Sequence, residues 1–275
     1  MITSYEQIFA ALEKTDPIPI AIVQPKSDFL LNAINDATKN GWITPLIFEH
    51  SVDLIAAQQA VASVKNGEAK LMMKGDIETA TVLKAVLDDK ELRTDQRLSH
   101  VAVVESPNYD RLMLWSDGGV NIDLNHEIMD SIITNAYVMA KALNIHHPNI
   151  ALLTLVETVN EKLPETILAF EMEQKYSSYN NFSIEGPIAL DVALSREAAV
   201  SKGLSSSIAG KTDVFIGPSI TVTNHVVKSL MSIGGAKGGG IILGAQVPIV
   251  LLSRSDSSET KLNSIALGVL TSTGD

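Results

Sequence analysis

"VPIVLLSRSDSSETKLNSIAL", residues 247–267, begins as an apolar run and ends as an amphipathic helix. Between the two stand Ser253, Arg254, Ser255 and Asp256: two hydroxyls, a cation and an anion in four residues. The apolar run reads as a buried strand. In the segment that follows, Leu262, Ile265, Ala266, Val269 and Leu270 fall at i, i+3, i+4, i+7 and i+8, one face of a helix. Asp256 and Glu259 have capping-box spacing, with Asp in place of the usual Ser or Thr. The stretch is therefore strand, loop, helix. Arg254 is expected at the carboxyl end of a strand, where open α/β sheets bind ligands, and the helix start adds N–H groups and partial positive charge. Two readings stay open. Ser253-Arg254 is an anion clamp, with the guanidinium forked onto phosphate and a carboxylate nearby as base, or it is an exposed cation ahead of a capped helix.

Outward from this stretch the same alternation repeats. "IPIAIV" (18–23), "ITPLIFE" (43–49) and "AKLMMK" (69–74) read as buried strands, each followed by a helical pattern, at 27–39, 53–65 and 76–89. Then come "HVAVVE" (100–105), "RLMLWS" (111–116), a helix near 125–143, "NIALLTLVE" (149–157) and a helix near 162–175. "TDVFIG" (212–217), a helix near 224–233, "GIIL" (240–243), "PIVLL" (248–252) and a helix near 258–271 complete the pattern. Continuous apolar strands separated by helices imply an α/β fold with mainly parallel strands covered on both faces.

The 275 residues suit one large domain or two smaller ones. With 45% hydrophobic and 19% charged residues, there is ample material for a core. A net charge of −11 argues against a nucleic-acid partner, since no basic face can dominate the field. An anionic metabolite would have to be met by a few local Lys and Arg residues. The lack of cysteine removes disulfides, thiolate zinc sites and a cysteine nucleophile. The first residues lack a basic stretch ahead of an apolar core, so no signal peptide is expected. The longest apolar run, near Gly240 to Leu252, is interrupted by Gln246 and Pro248 and is too short for a bilayer. A cytoplasmic protein without a membrane partner is the expectation.

Other short patterns bear on chemistry. "GGAKGGG" (234–240) either lets a ligand approach the backbone at Gly235 and Gly238 with Lys237 on a phosphate, or is a loop between helix and strand. Gly210-Lys211-Thr212 imitates the end of a P-loop, but Ser205 stands where the first glycine belongs and the order is helix then strand, the reverse of a P-loop. His146-His147 has no HExxH or carboxylate cluster beside it and reads as a surface pair. Asp117-Gly118-Gly119 is a turn that could also face a ligand. No G-x-S-x-G elbow is present.

From about Met73 onward the chain resembles the phosphate acetyl/butyryl transferase family, closer to its butyryl branch. "KGDIETATVLKAVL" is similar to the family's segment after the third strand, with Lys84 where the acetyl branch tends to carry arginine. "SDGGVNIDLNHE" is similar to the Asp-x-x-Val-Asn stretch through Asp117, Val120 and Asn121, and "LLTLVETVNEKLPET" has the butyryl look through Glu157, Asn160 and Pro164. "EGPIALDVALS" matches Gly-Pro-x-x-x-Asp through Gly186, Pro187 and Asp191. "GKTDVFIGPSITVTNHVVKSL" fits the strand, proline and Asn-x-x-x-Lys helix through Pro218, Asn224 and Lys228. "GGGIILGAQVPIVLLSR" fits the Gly, Pro and Ser-Arg spacing through Gly244, Pro248, Ser253 and Arg254. Each motif alone is short; their order over much of the chain makes the match specific.

The resemblance implies acyl transfer between coenzyme A and inorganic phosphate, butyryl-CoA and phosphate giving butyryl phosphate and CoA. Coenzyme A would be a substrate, with no metal or redox cofactor, and the protein a homo-oligomer. It implies a two-domain α/β/α sandwich similar to the isocitrate and isopropylmalate dehydrogenases, with residues 1–104 and 248–275 in one domain, 105–247 in the other and the active-site cleft between them. Arg254 would bind phosphate, Ser253 would donate a hydrogen bond, and Gly235, Lys237, Gly238, Asn224, Lys228, Pro218, Lys84 and Asp117 would contact substrate. The acetyl branch carries its base, an aspartate, six residues after the arginine; Thr260 stands there, which leaves Asp256 or Glu259, with Asp256 preferred because it lies in the loop. The rivals are a phosphate acetyltransferase and a non-catalytic CoA-ester or acyl-phosphate binding protein. A dehydrogenase of the same fold would need a metal-binding aspartate set and an arginine cluster, and neither is found.

Overall fold

A computed structural model describes residues 1–251, 253 and 255–273. Along the chain run α1 (Tyr5–Leu12), β1 (Ile18–Val23), α2 (Asp28–Lys39), β2 (Ile43–Phe48), α3 (Asp53–Lys65), β3 (Leu71–Lys74) and α4 (Thr79–Asp88). Then come β4 (Ser99–Glu105), β5 (Met113–Ser116), α5 (His126–Ala142), β6 (Asn149–Leu153), α6 (Pro164–Tyr176) and β7 (Ser183–Ile188). They are followed by α7 (Leu190–Leu194), α8 (Arg196–Ser201), β8 (Val214–Ile216), α9 (Ile220–Ser232), β9 (Lys237–Leu243), β10 (Ile249–Val250) and α10 (Ser258–Thr273).

These elements form two compact units. A terminal unit combines Ser4–Leu98 with Lys237–Asp275, and a central unit combines Ser99–Ala236 with Met1–Thr3. The junctions lie one strand away from residues 104 and 248, where the sequence reading drew them. Pairing explains the difference: β4 is antiparallel to β5, with Ala102 opposite Trp115, and β9 is antiparallel to β10, with Ile242 opposite Ile249.

In the terminal unit the strands lie in the order β2-β1-β3-β10-β9. β1 is parallel to β2 and β3, and β3 to β10. The crossover from β1 to β2 runs one way along the sheet and that from β2 to β3 runs the other. Right-handed crossovers then put α2 and α3 on opposite faces. α10 joins α2 and α1 on their side and lies against β9, β10 and β3. The turns after α2 and α3 have the same build. Gly41 (φ +73°) and Gly67 (φ +76°) reverse the chain, and Trp42 N–H to Ala37 O (3.0 Å) and Glu68 N–H to Ser63 O (2.8 Å) close each helix end.

The central unit has the order β4-β5-β8-β6-β7, with β5, β8, β6 and β7 parallel. Trp115 of β5 stacks on Phe215 of β8 (centroids 4.7 Å apart, planes at 15°), and Val192, Ala193 and Ala199 of α7 and α8 with Val226 and Leu230 of α9 close over that face. Both units are α/β/α layers with mainly parallel strands, as the alternation of runs predicts.

Three differences from the sequence reading have physical causes. β7 escaped notice because its buried positions alternate and Gly186-Pro187 lies inside it; it is the last strand in the unit's order, where proline is tolerated. β10 has two paired residues where a run of five was read. α10 is not amphipathic in place: every residue from Asn263 to Leu270 is buried, because sheet and helices enclose it.

Candidate active site

The terminal unit brings three loops together past the carboxyl ends of β1, β3 and β10, where its strand order reverses, the usual place for a ligand in an open α/β sheet. Asp76, after β3, ties down the loop after β1: its Oδ2 accepts the N–H groups of Lys26 and Ser27, both at 2.8 Å. Burial pushes the Asp76 carboxyl up, but those two N–H groups and the Lys74 charge outweigh it and hold it below the usual range. The Ser258 hydroxyl at the start of α10 donates to Phe29 O at 3.2 Å, joining the third loop to α2.

Within that third loop Ser253 and Asp256 are in direct contact. Asp256 Oδ2 accepts Ser253 N–H at 2.7 Å, and Asp256 N–H donates to Ser253 O at 3.2 Å. Ser253 Oγ is exposed and lies 3.0 Å from Ser255 Oγ. Arg254 lies outside the described residues. The capping box read from Asp256 and Glu259 does not form. The helix starts later, so the Ser257 hydroxyl takes the cap position, accepting Thr260 N–H at 3.1 Å. The Thr260 hydroxyl is itself 3.1 Å from Ser257 Oγ, and Glu259 is exposed. Asp256 is thereby free of capping duty.

In the central unit, the carboxyl ends of β5 and β8 carry the Asp117 loop and the start of α9. Asp117 is 3% exposed. Its Oδ1 accepts N–H groups from Gly119 (2.8 Å), Val120 (3.1 Å) and His100 (3.2 Å), and its Oδ2 accepts the backbone and side-chain N–H groups of Asn121 (3.0 and 2.6 Å). Asn224 Nδ2 donates to Gly118 O at 2.9 Å, so α9 pins the same loop. Pro218 precedes the α9 cap, Ser219, whose hydroxyl accepts Val222 N–H at 3.3 Å. Lys228 lies one turn beyond Asn224 and is exposed.

The glycine stretch divides in two. Gly235 (φ +68°) is exposed in the turn after α9, and Lys237 is exposed at the first position of β9. Gly238 is buried and accepts Asn263 Nδ2 at 3.1 Å. A Cβ on Gly239 would stand 2.9 Å from Ser264 N and 3.0 Å from the Tyr5 hydroxyl. Part of the run therefore lets α10 press onto β9.

A family model described as phosphate acetyl/butaryl transferase matches residues 12–269. The chain belongs to the phosphate acetyl/butyryl transferase family. It is 35% identical to the phosphate butyryltransferase of Clostridium acetobutylicum, over 98% of each chain, and 37% identical to a probable phosphate butyryltransferase of Bacillus subtilis, over 93% of this chain and 88% of that one. Among solved structures, a branched-chain phosphotransacylase from Enterococcus faecalis V583 superimposes with a TM-score of 0.85 at 34% identity, covering 94% of this chain and all of that one. Like its family, the chain is an acyltransferase that moves acyl groups between coenzyme A and phosphate.

The remaining family-like residues have structural partners. Lys84 pairs with Asp88 one turn on, at 2.7 Å, with both side chains more than half exposed. Glu157 holds Lys202 at 2.6 Å. Asn160 N–H donates to the Thr166 hydroxyl at 2.9 Å, and Pro164 opens α6. Glu157, Glu173 and Glu185 line a cavity of about 460 Å³ in the central unit with Phe170 and Leu204. Burial, then the Glu185 charge, raises the Glu173 carboxyl. Three carboxylates repel phosphate, so this cavity does not suit the transferred group. Gly210-Lys211-Thr212 stands between α8 and β8, the wrong order for a P-loop. His147 Nε2 is 3.0 Å from Ser183 Oγ. Among the described residues no group of three or more His, Asp or Glu could hold a metal, and no helix is long and apolar enough to cross a membrane.

The sequence reading missed Lys74, Asp76, Ser257 and Lys261. Lys261 carried a signal: it is the one charged residue between Thr260 and Thr273, and it is 3% exposed.

Proposed function

We propose that the preferred acyl group has four carbons or is branched, and that residues 253–256 carry the chemistry. The observation that supports this most is the 34% identity, over 94% of the chain, to a branched-chain phosphotransacylase. In our reading Asp256 takes the proton from the coenzyme A thiol, because the thiolate is the nucleophile. The sulfur attacks the acyl carbon of the acyl phosphate, the C–O bond to phosphate breaks, and phosphate leaves with that electron pair. In the other direction a phosphate oxygen attacks the thioester carbon, the C–S bond breaks, and the leaving sulfur takes its proton from Asp256. Arg254 holds the phosphate bidentately and offsets charge on the tetrahedral intermediate, while the Ser253 hydroxyl donates a hydrogen bond there.

Asn224, Pro218, Lys228, Gly235 and Lys237 serve the same reaction as substrate contacts. Asp117, Gly238 and Lys84 act behind them, through the loop, the strand and the helix that each one braces. Coenzyme A is a substrate, no metal enters the reaction, and the enzyme works in the cytoplasm as a homo-oligomer. CoA release from acetyl-, propionyl-, butyryl- and isobutyryl-CoA, with and without phosphate, tests this. Each methylene in an apolar pocket is worth about 10–200-fold in kcat/KM, so a clear preference for acetyl-CoA would overturn the four-carbon reading.

The partnered Thr260 hydroxyl, at the acetyl branch's base position, favours a second reading, a CoA-ester binding protein without turnover. Such a protein would bind CoA in the same assay and release none.

A further inference from the structure

We propose that Lys261 is a positioning residue whose buried ammonium clamps the 253–256 turn by donating to the backbone carbonyls of Ser253 and Asp256. Lys261 stands one turn into α10, and its Nζ reaches Ser253 O at 3.4 Å and also donates to Asp256 O. Ser253 O thus accepts twice, from Lys261 and from Asp256 N–H, while Asp256 Oδ2 takes Ser253 N–H in return. The turn is closed from inside by its own groups and from below by the helix.

Three observations set this lysine apart from an ordinary surface cation. It is 3% exposed, and lysine is almost never so buried unless paired. It lies near the amino end of a helix, where the macrodipole favours anions. It is the one cation in a stretch otherwise packed with Leu, Ile, Val, Ala and small polar residues, where an apolar side chain would carry no desolvation cost. Burial pushes its ammonium below the usual lysine range, opposed by Asp256 from the turn and by Asp76 from the loop after β3. Lys74 in turn acts on Asp76. A charge retained at that cost, with its donors on the backbone of one short turn, fixes where the Ser253 hydroxyl and the Asp256 carboxylate stand.

The catalytic part of this inference rests on the reading of residues 253–256 given above; the clamp itself does not. The full-length chain and its Lys261→Met and Lys261→Arg variants are compared in two assays. The first is the rate of trypsin cleavage at the Arg254–Ser255 bond, a trypsin site by sequence, which rises as the turn opens more often. Lys261→Met is expected to be cut about tenfold faster than wild type, and Lys261→Arg, which keeps charge and donors, to regain at least half of that protection on a logarithmic scale. The second assay is turnover: kcat of Lys261→Met falls on the order of 100-fold, the cost of misplacing a reacting group by about 1 Å. KM for acyl-CoA stays within about twofold, a split that a general loss of structure would not give. Equal cutting of wild type and Lys261→Met, with kcat unchanged, overturns the proposal. If Lys261→Met fails to fold by circular dichroism, Lys261→Gln is read in its place, and wild-type protection there overturns the clamp equally. If wild type turns over no acyl-CoA, the proposed function falls, while the trypsin comparison still decides the clamp.

Discussion

Asp117 and Asp256 each follow a strand, and the protein surrounds them in contrasting ways. Asp117 is 3% exposed, and both of its oxygens are occupied by N–H groups from His100, Gly119, Val120 and Asn121. Asp256 is half-buried, and among the described residues only Ser253 N–H donates to its carboxylate. A carboxylate enclosed by donors shapes a loop; one with an oxygen to spare can accept a proton from a substrate. Both lie within family-like motifs, so their roles are separated by what each one touches.

The contrast breaks most readily on Asp256. We expect Asp256→Asn to lower the rate of the thiol-consuming direction by about 10²–10⁴, the range for a lost general base, with the loss shrinking as pH rises and the thiol ionises unaided. Rates measured in both directions from neutral to alkaline pH check this, and a loss that ignores pH would move the base elsewhere. Next is Arg254→Ala, expected to cost about 10²–10³ in kcat, with Arg254→Lys recovering part of it because the planar fork is lost. Near-native kcat and phosphate KM in a folded variant would return Arg254 to an ordinary exposed cation.

Asp117 should respond in stability first. Asp117→Ala leaves several partly buried N–H groups without their acceptor, and we expect a loss of about 2 kcal/mol, or roughly 4–8 °C in Tm. An unchanged Tm with lost turnover would make Asp117 a direct substrate contact. The smallest effect distinguishes the two candidate caps of α10. Ser257→Ala should cost about 1 kcal/mol, while Asp256→Asn leaves Tm close to wild type. The reverse pattern in thermal melts would restore the cap to Asp256.

Sequence periodicity located most of the elements, because strands buried on both faces are continuous apolar runs and their helices repeat near 3.6 residues. It failed where tertiary surroundings override local pattern. In β7, Gly186 and Pro187 look like turn residues but lie in a strand paired on one side within its unit. In α10, Asn263, Ser264 and Gly268 look like a solvent face, yet packing against sheet and helices buries them. The family was legible in the order of its motifs; the contacts that each residue makes were not. Nothing in "SDGGVN" says that Asp117 turns its oxygens back onto its own loop, and nothing in "SDSSET" says that Ser257 reaches Thr260 N–H first. The lone lysine in the last helix is the readable exception.

The terminal unit is built from two separate stretches of sequence, and that sets a schedule for biosynthesis. β10 and β9 continue the unit's sheet beyond β3, and α10 covers them, yet all three are made after residue 236. The central unit, nearly continuous in sequence, has its strands and helices translated before those arrive, while residues 4–98 must wait for partners made after residue 236. The Ser253–Asp256 turn, held between β10 and α10, is therefore made after every strand and helix of the central unit. A nascent chain stalled before β9 would carry every strand and helix of the central unit and none of β9, β10 and α10.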